Sequence, residues 1–338
     1  MMPHRRVLRV MLLFVVLLGI STIGWAQEPE ATEDPDTVLG EDLTIEYLRN
    51  LEIEGSEIQF HQELDKGSNY SQYIISYLSE GYRIRGLLTV PFGIAPEGGF
   101  KAIVFNHGYI PPSTYRTTER YVDYVRVLAE AGFVVFKIDM RGHGTSEGES
   151  EGTYFSPGYT IDAISAVKSL QMTDFIDPDG IGLWGHSMSG NLVLRAMLIE
   201  PSIKAGVIWA GAVYSYDDFA KYAISDPSFN PSASTSTRPI SRGQQMREVY
   251  GPLDTETPFW QAVSLTEHIE YLESPIQLHH AVDDPIVNIG YSYDLANVLD
   301  ENDKLYEIYA YQGGGHNISP PYFNEAMRRT VIFFRENL

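Results

Sequence analysis

The sequence predicts an α/β fold with a mostly parallel central sheet, helices on both faces of that sheet, antiparallel strands at its N-terminal end and an inserted cap. From about residue 100 onward, short apolar runs alternate with amphipathic segments of helical period, the pattern of a parallel sheet covered on both faces. Between residues 57 and 90 the period becomes alternating, which indicates antiparallel strands. Hydrophobic residues make up 43% of the 338 residues and charged residues 20%, so we expect a globular core.

The individual elements follow from these two periods. Three antiparallel strands are predicted at 57–64, 70–78 and 82–90, and Ser79-Glu80-Gly81 has the composition of a hairpin turn. The later predicted strands are short and apolar, at 102–106, 133–139, 181–184, 205–210, 276–280 and 305–311. The predicted helices carry apolar residues on one face, at 119–131, 157–172, 191–199, 291–299 and 321–337.

The alternation of strands and helices is interrupted between about residues 212 and 262. This segment is rich in Ser, Thr and Pro but also contains several Tyr, Phe and Trp residues. About fifty residues without a predicted strand, inserted after a sheet strand, are typical of a cap with small helices. The aromatic residues argue against a disordered excursion, since they need a surface on which to pack.

The N-terminus has the pattern of a secretory signal. Arg5, Arg6 and Arg9 precede an apolar run of 11 residues at 10–20, and small residues precede a predicted cleavage site after Ala26. The apolar run is short for a membrane span, so we expect removal of residues 1–26 rather than a retained anchor.

The predicted mature chain begins with an acidic segment. Residues 27–42 combine Asp, Glu and Pro, so they are predicted to form a solvated linker before a folded domain at 43–338. With the signal cleaved, we expect no stable membrane span and a secreted or periplasmic location. The sequence contains no Cys, so no disulfides are expected.

Charge and motif content exclude several classes of partner. A formal net charge of −21 repels phosphate backbones, so we expect no nucleic-acid partner. No metal-ligand cluster and no phosphate-binding loop is apparent, and Gly313-Gly314-Gly315 follows a predicted strand without leading directly into a helix. We therefore expect no metal and no cofactor; the sequence does not indicate an oligomeric state.

Ser187 is the candidate nucleophile. The run Gly185-His186-Ser187-Met188-Ser189-Gly190 joins a predicted strand to a predicted helix. Such a sharp turn holds a serine in a strained backbone conformation with its hydroxyl clear of the sheet, and it needs small residues two places before and after. Gly185 and Ser189 fill those places. The usual pattern has glycine at both, and Ser189 differs from glycine only by one CH2OH group. Ser189 itself is a poorer candidate for the nucleophile, because the residue two places before it is Ser187 rather than a glycine.

A serine hydroxyl needs a base to take its proton and an acid to orient that base. His316, in a glycine-rich loop after the last predicted strand, is the one histidine downstream of the acids that follow the cap. Asp283 and Asp284 both follow the strand at 276–280, and an aspartate before proline often serves only as a turn former. The residues alone leave the choice between the two aspartates open.

The oxyanion of an acyl-transfer intermediate needs two backbone N–H donors, one of them from the residue after the nucleophile. That residue is Met188. The second predicted donor is the N–H of Tyr109, because His107-Gly108-Tyr109 follows the strand at 102–106. We expect His107 to support this loop rather than to act on substrate.

With these residues assigned, the chain resembles the α/β-hydrolase superfamily, most of all the catalytic domain of the prolyl oligopeptidase (S9) family and its dienelactone-hydrolase-like relatives. The resemblance covers roughly residues 83–337, with matching motifs at 104–108, 139–146, 185–188, 275–288 and 315–317. If the chain is aligned with the family on a His-Gly pair, Asp283 takes the place of the catalytic acid. Family members often read His-His-Gly-x-x-Asp-x-x-Val-Pro, and the matches at Val287 and Ser292 to the family favour Asp284 as the acid.

The resemblance implies a serine hydrolase with the triad Ser187, Asp284 and His316, acting through an acyl-enzyme. It favours a serine-type peptidase that cleaves short peptides. Only about 60 residues separate the leader from the matched region, too few for the β-propeller that peptidases of this family carry. A carboxylesterase acting on small esters, with the cap aromatics binding an apolar group, is the alternative. A non-catalytic binding protein on a hydrolase scaffold is the third hypothesis, against which the complete triad argues.

Overall fold

The computed structural model of the chain describes residues 38–225 and 241–338. The predicted signal at 1–26, residues 27–37 of the predicted acidic segment and the middle of the predicted cap lie outside the described residues. Helices of the described part are all too short or too polar to cross a membrane.

A mixed sheet of nine strands forms the centre of the described part. The strands are β1 (Gln59–Leu64), β2 (Tyr70–Ser79), β3 (Tyr82–Pro91), β4 (Phe100–Asn106), β5 (Val134–Asp139), β6 (Ile176–His186), β7 (Ala205–Trp209), β8 (Ile276–Ala281) and β9 (Tyr306–Tyr311). Their order is β1-β2-β3-β5-β4-β6-β7-β8-β9. Pairs from β1 to β5 are antiparallel, and pairs from β5 onward are parallel, as the sequence predicts.

Nine α-helices of the described part accompany the sheet. They are α1 (Ile45–Asn50), α2 (Val122–Glu130), α3 (Gly158–Gln171), α4 (Ser189–Ile199), α5 (Tyr216–Tyr222), α6 (Arg242–Tyr250), α7 (Pro258–Val263), α8 (Gly290–Glu301) and α9 (Phe323–Asn337). Helices α3, α4 and α8 belong to one buried apolar cluster, and α2 and α9 to another. In β6, Leu183 contributes to the first cluster and the next residue, Trp184, to the second. Successive side chains of one strand thus pack into two cores on opposite faces of the sheet.

The predicted hairpin joins β2 and β3. Ser79 pairs with Tyr82, and the two residues between them, Glu80 and Gly81, have φ values of 49° and 82°. A two-residue turn with both φ values positive matches the twist of antiparallel strands, and glycine adopts that backbone conformation without steric cost.

The described cap consists of α5, α6 and α7 and packs on the N-terminal segment. Leu43, Tyr216 and Trp260 are at most 1% exposed and share one apolar cluster. The hydroxyl of Tyr250 donates a hydrogen bond of 2.6 Å to the backbone oxygen of Leu39. The folded part therefore includes residues 38–42, which the sequence assigns to a solvated linker, because apolar side chains interrupt the acidic run there.

Two element boundaries differ from the predictions for identifiable reasons. Strand β6 begins at Ile176 rather than 181, because Ile176 pairs with Phe100 ahead of a register shift in the β4–β6 ladder. Helix α2 begins at Val122 rather than 119, because Tyr121 has a left-handed backbone with φ 58°.

Candidate active site

Ser187 lies at the sharp turn between β6 and α4. Its φ of 55° is left-handed, which is a strained conformation for a non-glycine residue. Its N–H donates to the backbone oxygen of Trp209 at 2.8 Å, and its carbonyl accepts from the N–H of Gly190 at 2.9 Å. A Cβ at Gly185 would lie 2.6 Å from the backbone oxygen of Ser189, so the position two before the serine requires glycine.

Ser189 fills the position where many such turns have glycine. It is fully buried, and its hydroxyl donates a hydrogen bond of 2.6 Å to the backbone oxygen of His107. The departure from glycine thus connects the nucleophile turn to the loop after β4, which carries the predicted oxyanion donor.

The structure brings Asp284 and His316 together. The side chain of Asp284 is fully buried, and its Oδ2 lies 2.8 Å from Nδ1 of His316. Its Oδ1 accepts from the backbone N–H groups of Ile286 at 2.8 Å and Val287 at 3.0 Å. Nε2 of His280 lies 3.3 Å from the same Oδ2. Every oxygen of this carboxylate therefore has polar partners.

These partners set the ionisation of Asp284. Burial alone would raise the pKa of this carboxyl, but hydrogen bonds with His280, His316 and the backbone of Ile286 outweigh burial and hold the pKa well below its usual range. An ionised Asp284 accepts the Nδ1 proton of a neutral His316. Nε2 of His316 is then the ring nitrogen that can take a proton.

Asp283 has a different partner. Its Oδ1 accepts from the backbone N–H of Gly315 at 2.9 Å. Gly314 and Gly315 both have positive φ, 105° and 57°, so the glycine-rich run allows the backbone to turn directly before His316. Asp283 thus holds the histidine loop, and Asp284 contacts the imidazole.

Ser187 and His316 line one cavity of about 490 Å³. Its walls come from four segments, 108–110, 120–124, 186–187 and 316–323. The described residues of the predicted cap, 212–225 and 241–262, do not line it. The cap aromatics Tyr216 and Trp260 pack inside the cap instead, whereas Tyr124 and Phe323 supply aromatic surface to the cavity.

The two predicted oxyanion donors flank the serine in different ways. Met188 follows Ser187 directly and begins the turn into α4. Tyr109 lines the cavity from the loop after β4. Ile110 belongs to the same loop, and its backbone oxygen lies 3.2 Å from Nε2 of His143. The N–H of Gly108 donates to the hydroxyl of Tyr121 at 2.9 Å, so this amide is engaged by a side chain.

Two residues of the cavity, His186 and Tyr121, are not predicted as site residues from the sequence. Nδ1 of His186 lies 2.8 Å from the hydroxyl of Tyr121, and Nε2 lies 2.8 Å from the backbone oxygen of His316. A nearby tyrosine, Tyr124, donates to the backbone oxygen of Asn317 at 2.8 Å. No sequence pattern predicts these contacts, since their partners lie 65, 130 and 193 residues apart.

Within the described residues, no group of three or more His, Cys, Asp and Glu side chains is arranged to hold a metal ion. The histidines next to the candidate triad are engaged otherwise. Nδ1 of His280 lies 2.7 Å from the hydroxyl of Ser292, and Nδ1 of His107 lies 2.8 Å from the backbone oxygen of Gly108.

The nine-stranded sheet, with a left-handed serine after β6 and a histidine–aspartate pair after β8 and β9, is the architecture of α/β-hydrolases. The chain has the α/β-hydrolase fold and is a serine hydrolase. The model of the family described as serine aminopeptidase, S33, matches residues 100–250.

Similar proteins include both peptidases and esterases. The uncharacterized peptidase YtmA of Bacillus subtilis (strain 168) is 26% identical over 267 residues, 78% of this chain and 93% of that protein. The acetyl xylan esterase from Paenibacillus sp. R4 has a TM-score of 0.63 at 18% identity, over 92% of this chain and 97% of that chain. Porphyromonas gingivalis dipeptidyl peptidase 4 has a TM-score of 0.59 at 17% identity, over 80% of this chain and 36% of that chain. At these identities the two structures show the fold alone.

Proposed function

We propose that Ser187, His316 and Asp284 form the catalytic triad of this hydrolase. The observation that carries the proposal is the 2.8 Å contact between His316 Nδ1 and a buried Asp284, in a cavity that Ser187 shares. In this assignment His316 Nε2 takes the proton of Ser187 Oγ while that oxygen attacks the substrate carbonyl carbon. The backbone N–H groups of Met188 and Tyr109 donate to the oxyanion that develops.

The second half of the reaction uses the same groups. The His316 imidazolium gives its proton to the leaving amine or alcohol, and Asp284 stabilises the positive charge in the meantime. Water then attacks the acyl-enzyme, with His316 again as the base, and Ser187 Oγ recovers its proton when the acid product leaves.

We infer that the substrates are short peptides, cleaved as by the prolyl oligopeptidase-like enzymes that the sequence resembles. The relative named as a peptidase supports this proposal, because the match covers 93% of that protein. A cavity of about 490 Å³ also suits a short segment of chain rather than a folded protein.

A carboxylesterase is the second candidate. It is favoured by the acetyl xylan esterase, since that match runs over nearly the whole length of both chains. Ester hydrolysis also needs less assistance to the leaving group than amide hydrolysis does. In this alternative Tyr124 and Phe323, which line the cavity, would contact an apolar part of the substrate.

The test is kcat/KM on amide and ester substrates that share one acyl group, with Ser187→Ala as the control for adventitious hydrolysis. We expect turnover of several peptide amides, lost by a factor on the order of 10⁴ or more in Ser187→Ala. Brisk ester hydrolysis without amide turnover across a broad peptide panel would replace the peptidase by the esterase.

We also propose that the protein is exported, on the basis of the arginine-flanked apolar run at 10–20. N-terminal sequencing of exported material is expected to begin near Gln27. Material that still begins at Met1 or Met2 would contradict cleavage.

A further inference from the structure

A chain of three hydrogen bonds connects both sides of the candidate site. It runs from the N–H of Gly108 to the hydroxyl of Tyr121 at 2.9 Å, from that hydroxyl to Nδ1 of His186 at 2.8 Å, and from Nε2 of His186 to the backbone oxygen of His316 at 2.8 Å. Gly108 precedes the proposed oxyanion donor, and His316 is the proposed base. His186 itself directly precedes Ser187.

The chemistry of the partners fixes every proton in this chain. The carbonyl of His316 can only accept, so Nε2 of His186 carries the proton and Nδ1 accepts from Tyr121. The Tyr121 hydroxyl then has its lone pair free to accept from the Gly108 N–H. Burial, and next the neighbouring His316, lower the pKa of His186 to about 3, so the ring stays neutral near neutral pH.

Packing also restrains this chain of three hydrogen bonds, which we call the relay. His186 is 3% exposed and its ring centroid lies 4.6 Å from that of His316. The ring of Tyr121 packs edge-on against Phe105 and Trp184. Tyr121 is the residue directly before α2, and its backbone is left-handed, with φ 58°. A strained backbone next to a cavity persists only where surrounding contacts hold it.

From this geometry we propose that His186 and Tyr121 are positioning residues, which hold the backbone of the catalytic histidine at a fixed distance from the oxyanion loop. The inference rests on the proposed triad and adds residues to it. The two outer bonds each restrain a main-chain group, the N–H of Gly108 and the carbonyl of His316, so the relay sets where Nε2 of His316 and the N–H of Tyr109 lie relative to Ser187. Displacements on the order of 1 Å at such groups reduce rates by about 10²-fold.

The test compares His186→Leu, which removes both ring nitrogens, with His186→Gln, which keeps an amide N–H able to donate to the His316 carbonyl. We expect kcat and the rate of fluorophosphonate labelling to fall on the order of 10²-fold in His186→Leu, with little change in KM. His186→Gln should recover most of the loss. Tyr121→Phe should lower kcat several-fold, and the double variant Tyr121→Phe with His186→Leu should be no worse than His186→Leu alone, because both act through one chain.

Two controls separate positioning from folding and from failure of the triad. Tyr250→Phe removes a comparable hydrogen bond to a backbone oxygen, that of Leu39, far along the chain from the cavity, and should leave kcat unchanged. If His186→Leu fails to fold, the kcat of Tyr121→Phe tests the proposal instead, because the phenylalanine ring keeps the contacts with Phe105 and Trp184.

The relay is overturned if His186→Leu keeps half of the wild-type kcat while Ser187→Ala is inactive. It is equally overturned if His186→Gln is as impaired as His186→Leu, which would indicate packing alone. Absence of labelling at Ser187 in the wild-type protein would contradict both the proposed triad and the proposed role of the relay.

Discussion

At the scale of single residues, two neighbouring aspartates act on two different groups. The side chain of Asp284 is buried and accepts from the imidazole of His316, whereas Asp283 is exposed and accepts from the backbone N–H of Gly315. The residues alone left both available as the acid, and the family resemblance favoured Asp284. In the structure the backbone N–H groups of Ile286 and Val287 donate to Oδ1 of Asp284, and Nδ1 of His316 lies 2.8 Å from its Oδ2.

This division predicts unequal effects of two isosteric changes. Asp284→Asn should lower kcat on the order of 10⁴-fold, because an amide can hold His316 in the wrong tautomer and cannot stabilise the imidazolium. Asp283→Asn keeps an oxygen able to accept from Gly315 and should cost far less. Steady-state kinetics of both variants on one substrate provide the measurement. A result in which Asp283→Asn is the worse by tenfold or more would reverse the assignment.

At the scale of elements, the sequence predicts most of the sheet because hydrophobic period is a local property. The hairpin at Glu80 and Gly81, the buried strands and the turn at Ser187 all follow from residues adjacent in the chain. Helix α1 was missed because it is only six residues long, and the first residues of β6 were missed because Ile176 pairs with the distant Phe100. The contacts of His186 and Tyr121 were missed for the same reason.

The N-terminal segment and the cap give a prediction of this scale. Leu43 is fully buried against Met246, Trp260 and Val263 of the cap. Leu43→Ala should reduce the free energy of unfolding by about 2–5 kcal/mol, since it leaves a cavity between the N-terminal segment, α6 and α7. Denaturant unfolding measures the total loss, and hydrogen exchange should show faster opening of α6 and α7.

Val38→Ala is the matched control, since Val38 is 57% exposed. Its effect should stay within about 0.5 kcal/mol, as for most surface substitutions. Equal unfolding midpoints for the Leu43 and Val38 variants would show that the N-terminal segment does not stabilise the cap.

At the scale of the whole molecule, parallel pairing brings the residues of the proposed triad to one edge of the sheet. Strands β6, β7, β8 and β9 are successive neighbours, so their carboxyl ends meet at one edge of the sheet. Ser187 follows β6, Asp284 follows β8 and His316 follows β9, so residues that lie 97 and 129 positions from the serine are carried to the same edge. Each of these residues follows a predicted strand, so the sequence predicts that they share this edge. The cavity walls that come from α2 and from the loop before α9 depend on distant contacts, and the sequence does not predict them.

Ser187 is the proposed nucleophile, activated by His316 and Asp284. Labelling of the purified protein with a fluorophosphonate, followed by mass spectrometry of the digested adduct, identifies the reactive serine. We expect a single stoichiometric adduct on Ser187, lost in Ser187→Ala and formed much more slowly in Asp284→Asn. An adduct on Ser189 or elsewhere, or hydrolytic activity that persists in Ser187→Ala, would contradict this proposal.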